Sequence, residues 1–102
     1  MTKKVYSIEE IRNVLSQVLV NFAVEKAILF GSYAKNKQTA ESDIDLIIDS
    51  KGKLLNINFY GLLEELVEKF NKKIDLIEIS EIKKESDIHK IIKKEGIVVY
   101  ER

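Results

Sequence analysis

Two short runs hold the residues of this chain best suited to chemistry: Gly31-Ser32-Tyr33-Ala34-Lys35 and Ser42-Asp43-Ile44-Asp45-Leu46. In the first, the apolar run Ala27-Ile28-Leu29-Phe30 delivers the chain to a Gly-Ser turn and a short helical segment. Glycine lets a phosphate approach the backbone, the serine hydroxyl can hydrogen-bond it, and a helix N-terminus favours its negative charge. In the second run, Asp43 and Asp45 lie two apart on a strand, so they share a face about 6.5–7 Å apart along the chain. Carboxylates crowded in a partly buried position repel one another and are costly unless a cation neutralises them. Mg²⁺ meets that need, because hard oxygen ligands suit it and it bridges to nucleotide phosphates. Two such ions, about 3.5–4 Å apart, can activate an attacking oxygen and stabilise a leaving pyrophosphate. Asp75, in the run Ile74-Asp75-Leu76-Ile77, is the best candidate for a third carboxylate.

Each feature has a plainer reading. Gly31-Ser32 alone fits an ordinary strand-to-helix turn, Asp43 a cap, and Asp45 a strand-end charge. Glu78 rivals Asp75 but lies three residues along the same strand, on the opposite face. Asp49 shares the face of Asp43 and Asp45 at the far end of their strand, where it reads as a solvated terminus. Lys35 and Lys37 can be phosphate contacts or loop charge, and Tyr33 can pack under the turn or stack on a base, with packing favoured. His89 sits among lysines and glutamates and reads as a surface residue; Lys83, Lys84, Lys90, Lys93 and Lys94 read as a solvated face.

The elements that must position these groups follow from periodicity. Ser7-Ile8-Glu9-Glu10 is a capping box, and Ile8, Ile11, Leu15, Val18, Leu19 and Phe22 recur at helical spacing, predicting a helix over about 8–21. Residues 24–30 read as a strand buried on both faces. One or two helical turns through Asn36, a polar loop over 37–42 and a strand over 44–48 follow. Lys51-Gly52-Lys53 turns the chain into a helix over 57–70, whose Leu62, Leu63, Leu66, Val67 and Phe70 read as core. A strand over 73–79 and a helix over 86–94, with Ile88, Ile91 and Ile92 at helical spacing, come next. Gly96 fits that helix's stop, and Val98-Val99-Tyr100 a short edge strand. Strands alternating with helices imply an α/β (α+β) fold: a small mixed β-sheet with flanking helices, expected as one domain over 1–102.

Composition bounds the function. The 102 residues carry 17 basic and 17 acidic side chains, a formal net charge of +0 that argues against strong nucleic-acid binding through overall charge. The absence of cysteine excludes disulfides, zinc–thiolate sites and cysteine nucleophiles. No apolar run approaches the roughly 20 residues of a membrane span. Met1-Thr2-Lys3-Lys4-Val5 lacks the apolar stretch of a signal peptide, so a cytoplasmic protein is expected. The small core leaves homo- or hetero-oligomers open.

Gly31-Ser32 followed by Ser42-Asp43-Ile44-Asp45-Leu46 and later Asp75 resembles the polymerase-β-type nucleotidyltransferases, and more narrowly the minimal nucleotidyltransferases (MNT), over nearly the whole chain. The resemblance implies a polymerase-β-like nucleotidyltransferase fold. It also implies that Gly31, Ser32, Lys35 and Ser42 bind the nucleotide triphosphate. Asp43, Asp45 and Asp75 would bind two Mg²⁺ ions, with Asp75 helping to activate the incoming hydroxyl. Such proteins are similar to the antitoxins of MNT–HEPN toxin–antitoxin pairs, which transfer AMP from ATP to a tyrosine of a HEPN toxin. The resemblance therefore implies a protein adenylyltransferase with ATP as substrate and a HEPN toxin as partner. The alternative is a nucleotidyltransferase fold that neutralises its partner by complex formation alone. Lys35 stands where the family commonly has arginine, keeping the charge but losing the bidentate fork, and Asn36 stands where it has glycine. With no further domain to bind an acceptor, the chain is expected to borrow that surface from its partner.

Overall fold

The computed structural model describes residues 4–84 and 86–102; Met1 to Lys3, at the start read for a signal peptide, and the side chain of Ile88 lie outside the described part. The chain runs α1 (Ile8–Val18), β1 (Lys26–Phe30), α2 (Gly31–Ala34), β2 (Ile44–Asp49), α3 (Ile57–Phe70), β3 (Ile74–Glu78), α4 (Asp87–Glu95) and β4 (Ile97–Glu101). Among the described residues four strands form one mixed sheet in the order β3-β2-β1-β4. β1 pairs antiparallel with β2 and with β4, whereas β2 and β3 are parallel, joined by the α3 crossover. The mixed sheet and the edge position of β4 agree with the sequence reading.

The capping box forms as expected. Ser7 Oγ accepts from the Glu10 backbone N–H at 3.1 Å, and Glu10 Oε1 accepts from the Ser7 N–H at 3.0 Å. Ser7→Ala is expected to lower stability by about 1 kcal/mol, read from chemical denaturation, with the denaturant slope unchanged. The helix is shorter than predicted, because Leu19–Asn21 tighten into a 3₁₀ turn.

Alternation along the strands separates two faces. Ala27, Leu29, Ile44, Leu46, Ile48 and Ile74 point into the core, where α1 contributes Ile11 and Leu15, and α3 contributes Leu62, Leu66 and Phe70. On the other face α4 lies across β1, with Ile92 buried. β1 alternates buried with half-buried residues rather than being buried throughout, since α4 covers its second face only in part. Val67, expected in the core, is 38% exposed, because the narrow apolar stripe of α3 runs through Leu62, Leu66 and Phe70. Gly96 follows α4, but with φ of −68° it needs no left-handed conformation. It is required for space: a Cβ there would come 2.5 Å from the Ile92 carbonyl oxygen and 2.6 Å from Ile28 Cγ2. No helix of the described residues is long and apolar enough to cross a membrane.

Candidate active site

The site forms where β1 ends and β2 and β3 begin. β1 runs antiparallel to β2, so its last residue, Phe30, stands opposite Asp45, and the next residue must turn the chain sharply away. Gly31 does this with φ of +72°, a conformation that costs L side chains about 1–2 kcal/mol. Its missing side chain matters as much as its backbone. A Cβ at Gly31 would overlap Oδ2 of Asp45, so the turn and the carboxylate lie in direct contact. Ser32 follows, half-buried, and its carbonyl accepts from the Lys37 N–H at 2.9 Å. α2 is one turn long, and Asn36 ends it with φ of +57°. Asparagine tolerates that left-handed conformation almost as glycine does, so Asn36 in place of glycine leaves the backbone path intact.

Parallel pairing supplies the second carboxylate. Asp45 and Asp75 are register partners on β2 and β3, on the face away from the core, and each carboxyl lies close enough to act on the other. Burial, then the hydrogen bond and charge of Asp75, then the charge of Asp43 push the Asp45 carboxyl up to about 7, against a lowering pull from Lys73. Asp43 lies just before β2, and its Oδ2 is 3.8 Å from Lys73 Nζ. Among the described residues no three carboxylate or imidazole groups are gathered as a ready-made metal cage. The pair is nonetheless a donor set suited to a hard divalent cation: oxygen ligands only, set side by side where a cation would relieve their repulsion.

The raised Asp45 value predicts a pH dependence. From about pH 4 upward the unfolded chain releases this proton while the folded protein keeps it to about pH 7. This carboxyl's contribution to stability is therefore full in acid, falls as pH rises through that window, and is lost above it. The gap in Tm between Asp45→Asn and the parent, without divalent cation, is expected to widen from pH 4 to 7 and then level off. A gap constant across that range would contradict the placement of Asp45 against Asp75.

The remaining candidates divide. Lys35 Nζ is 3.5 Å from Glu95 Oε2 of α4, at the rim of a groove of about 210 Å³ beside Gly31 that is lined also by Phe30, Ile77, Ile91 and Ile92. The Ser42 hydroxyl accepts from the Thr39 N–H at 2.9 Å and so closes the loop ahead of Asp43. Tyr33 is buried, with its hydroxyl accepting from the Tyr6 N–H at 3.4 Å, a packing role. Asp49 ends β2 as expected, accepting from the Lys51 N–H at 3.0 Å and pairing with its ammonium, but its side chain is only 21% exposed rather than fully solvated. Glu78 faces the core as its spacing implied. It is buried there, and its Oε1 accepts from the Ser50 N–H at 3.0 Å and from the Ser50 hydroxyl. His89, read as a surface residue, is half-buried instead, lining a hollow with Lys26, Ile28 and Ile79 that none of the three aspartates lines. Two residues that sequence reasoning passed over, Lys72 and Lys73, contact the run leading into β2, and only the register of β2 against β3 reveals them.

Residues 9–102 match the family described as Polymerase beta, Nucleotidyltransferase. The chain belongs to this family. Among curated relatives of the nucleotidyltransferase, one from Methanocaldococcus jannaschii, named "Putative protein adenylyltransferase MJ0435", is 35% identical over 77 residues, covering 74% of this chain and 82% of the relative. A second from the same organism, MJ1215 of the same name, is 30% identical over 81 residues, covering 76% of this chain and 94% of the relative. The fold is similar to a crystal structure of a toxin–antitoxin with AMP-PNP, at a TM-score of 0.76 and 22% identity over 89% of this chain and 73% of that one. It is also similar to a chain in the structure of a tri-AMPylated Shewanella oneidensis HEPN toxin in complex with MNT antitoxin. That match has a TM-score of 0.70 and 18% identity, over 93% of this chain and 73% of the other. These structures share its polymerase-β-like nucleotidyltransferase fold.

Proposed function

We propose that this nucleotidyltransferase moves AMP from ATP to a tyrosine hydroxyl of a HEPN-type partner protein and acts as the antitoxin of that pair. The observation that carries the reading is the Asp45–Asp75 pair set directly against the Gly31 turn. Carboxylates and a glycine turn in contact are what transfer from a nucleotide requires: groups for a cation next to a backbone that phosphates can approach. The names of the curated relatives and the AMPylated toxin beside a similar fold support the protein acceptor.

In this reading Asp45 and Asp75, joined by Asp43, would hold the Mg²⁺ ions that the bound nucleotide needs. Bound there, Mg²⁺ would supply charge neutralisation for the phosphates. Gly31 and Ser32 seat the triphosphate, with Lys35 and Ser42 at its margins. The tyrosine oxygen forms a bond to the α-phosphorus, the bond from that phosphorus to the bridging oxygen breaks, and pyrophosphate leaves. The hydroxyl proton passes to Asp75.

The experiment is to co-purify the chain with the product of its neighbouring reading frame, add ATP and Mg²⁺, and record intact masses. A gain of one or more AMP masses on the partner, absent with Asp43→Asn, is the expected result. The second reading, a fold that silences its partner by covering it, is favoured by one observation: Lys35 is already paired with Glu95. A tight, silent complex without any mass change would establish that reading.

A further inference from the structure

The chain between α3 and β3 is tied at several points to one short stretch, residues 40–44. Lys72 is buried, 8% exposed, and its Nζ donates to the carbonyl oxygens of Ala40 at 2.8 Å and Ser42 at 3.3 Å. A lysine ammonium is rarely buried unless acceptors surround it, so these carbonyls are what hold it there, and it in turn holds them. Lys73 adds two more ties: its carbonyl accepts from the Ile44 N–H at 3.1 Å, and its Nζ stands 3.8 Å from the Asp43 carboxylate. Asn71, left-handed at φ of +52°, caps α3 and turns both lysines toward residues 40–44. Asp43 is thus gripped through the backbone on both sides and through its side chain.

We propose that Lys72 and Lys73 form a latch on Asp43: Lys72 is a positioning residue that fixes the backbone leading into it, and Lys73 holds its carboxylate away from the Asp45–Asp75 pair until the polyphosphate of a nucleotide draws Lys73 off. The inference rests on the nucleotidyltransferase reading of these three carboxylates. It accounts for the lack of a ready-made three-carboxylate cage among the described residues although all three aspartates stand at one end of the sheet. The two grips differ in strength as their burial differs. The Lys73–Asp43 pair has side chains 72% and 41% exposed, and solvated pairs of this kind shift equilibria only about two- to fivefold. A polyanion bound alongside outcompetes so weak a partner, whereas the buried Lys72 stays in place. Cation and nucleotide then bind with positive coupling, each favouring the arrangement that the other needs.

The test uses Mn²⁺ as the probe of cation binding, titrated calorimetrically into the full-length protein without nucleotide. Lys73→Met is expected to tighten Mn²⁺ binding about two- to fivefold, and to reduce by about the same factor the further tightening that a non-hydrolysable ATP analogue gives the parent. Loss of a positive charge would by itself attract a cation, so the same substitution is made in an Asp43→Asn background, where the latch predicts a much smaller gain. Equal gains in both backgrounds would overturn the role of Lys73. Lys72→Met is expected to speed amide exchange over residues 40–43 and to lower kcat with little change in KM for ATP, and Lys72→Arg to restore part of both. Parent-like exchange in Lys72→Met would overturn the role of Lys72. Asp45→Asn separates the two levels of the argument: if it binds Mn²⁺ like the parent, the site reading itself fails, whereas if it loses Mn²⁺ and the double-mutant cycle shows no coupling, the latch alone fails.

Discussion

Asp45→Asn is expected to lower nucleotidyl transfer by about a thousandfold or more, while raising the melting temperature at pH 8. The loss follows from position. Asp45 touches the Gly31 turn and pairs with Asp75, so in the proposed reading its carboxylate is the group shared by the phosphate side and the cation side of the site. Cation stabilisation of charge in a transition state is worth several kcal/mol, and each 1.36 kcal/mol is tenfold in rate. The gain in stability has the same source. At pH 8 Asp45, with its value pushed up to about 7, must ionise against Asp75 and Asp43, and the neutral amide need not. Solvent screening keeps that gain to about 1 kcal/mol, or about 4–8 °C in Tm for a chain of this size. Thermal melts and a transfer assay on one preparation check both effects. A variant that is inactive and also destabilised would point to misfolding rather than to a lost cation ligand.

Gly31→Ala is expected to damage fold and activity together, for a reason that a control can isolate. The left-handed backbone at φ of +72° costs an alanine about 1–2 kcal/mol, and the added methyl collides with the Asp45 carboxylate. The carboxylate must rotate away, and displacements near 1 Å in a catalytic constellation cost about a hundredfold in rate. Gly52 has almost the same backbone, φ of +76°, with nothing within 4 Å of an added Cβ. Gly52→Ala should therefore show the loss of stability and keep full transfer activity. If the two variants lose activity equally, collision with Asp45 is not what matters at Gly31.

The register of the sheet explains why some expectations about this site needed the tertiary structure. Asp43 and Asp45 share a face because strand side chains alternate, a property of one strand that any reading of the sequence contains. That Asp75 stands beside Asp45 depends on β2 and β3 being parallel and in one register, which is decided by how the α3 crossover packs. Lys73 is found beside Asp43 by the same register, and no spacing along the chain announces it. Lys35 looked like a phosphate contact because it follows the Gly-Ser turn, yet α4 brings Glu95 to it from sixty residues further along.

By itself the sequence determined the local elements and the residue types of the site. The capping box at Ser7, the helical stripe of α3 through Leu62, Leu66 and Phe70, and the Asp-x-Asp alternation all follow from chain geometry over a few residues. The sequence also singled out Asp75 as companion to Asp45, but tertiary structure alone decided the register that sets them side by side, Lys73 for Asp43, Glu95 for Lys35, and the outward turn of Val67. The division has one physical cause. Helix and strand periods are set by backbone sterics and local hydrogen bonds, whereas a side chain's neighbour across the sheet is set by the packing of the whole core, to which every element contributes.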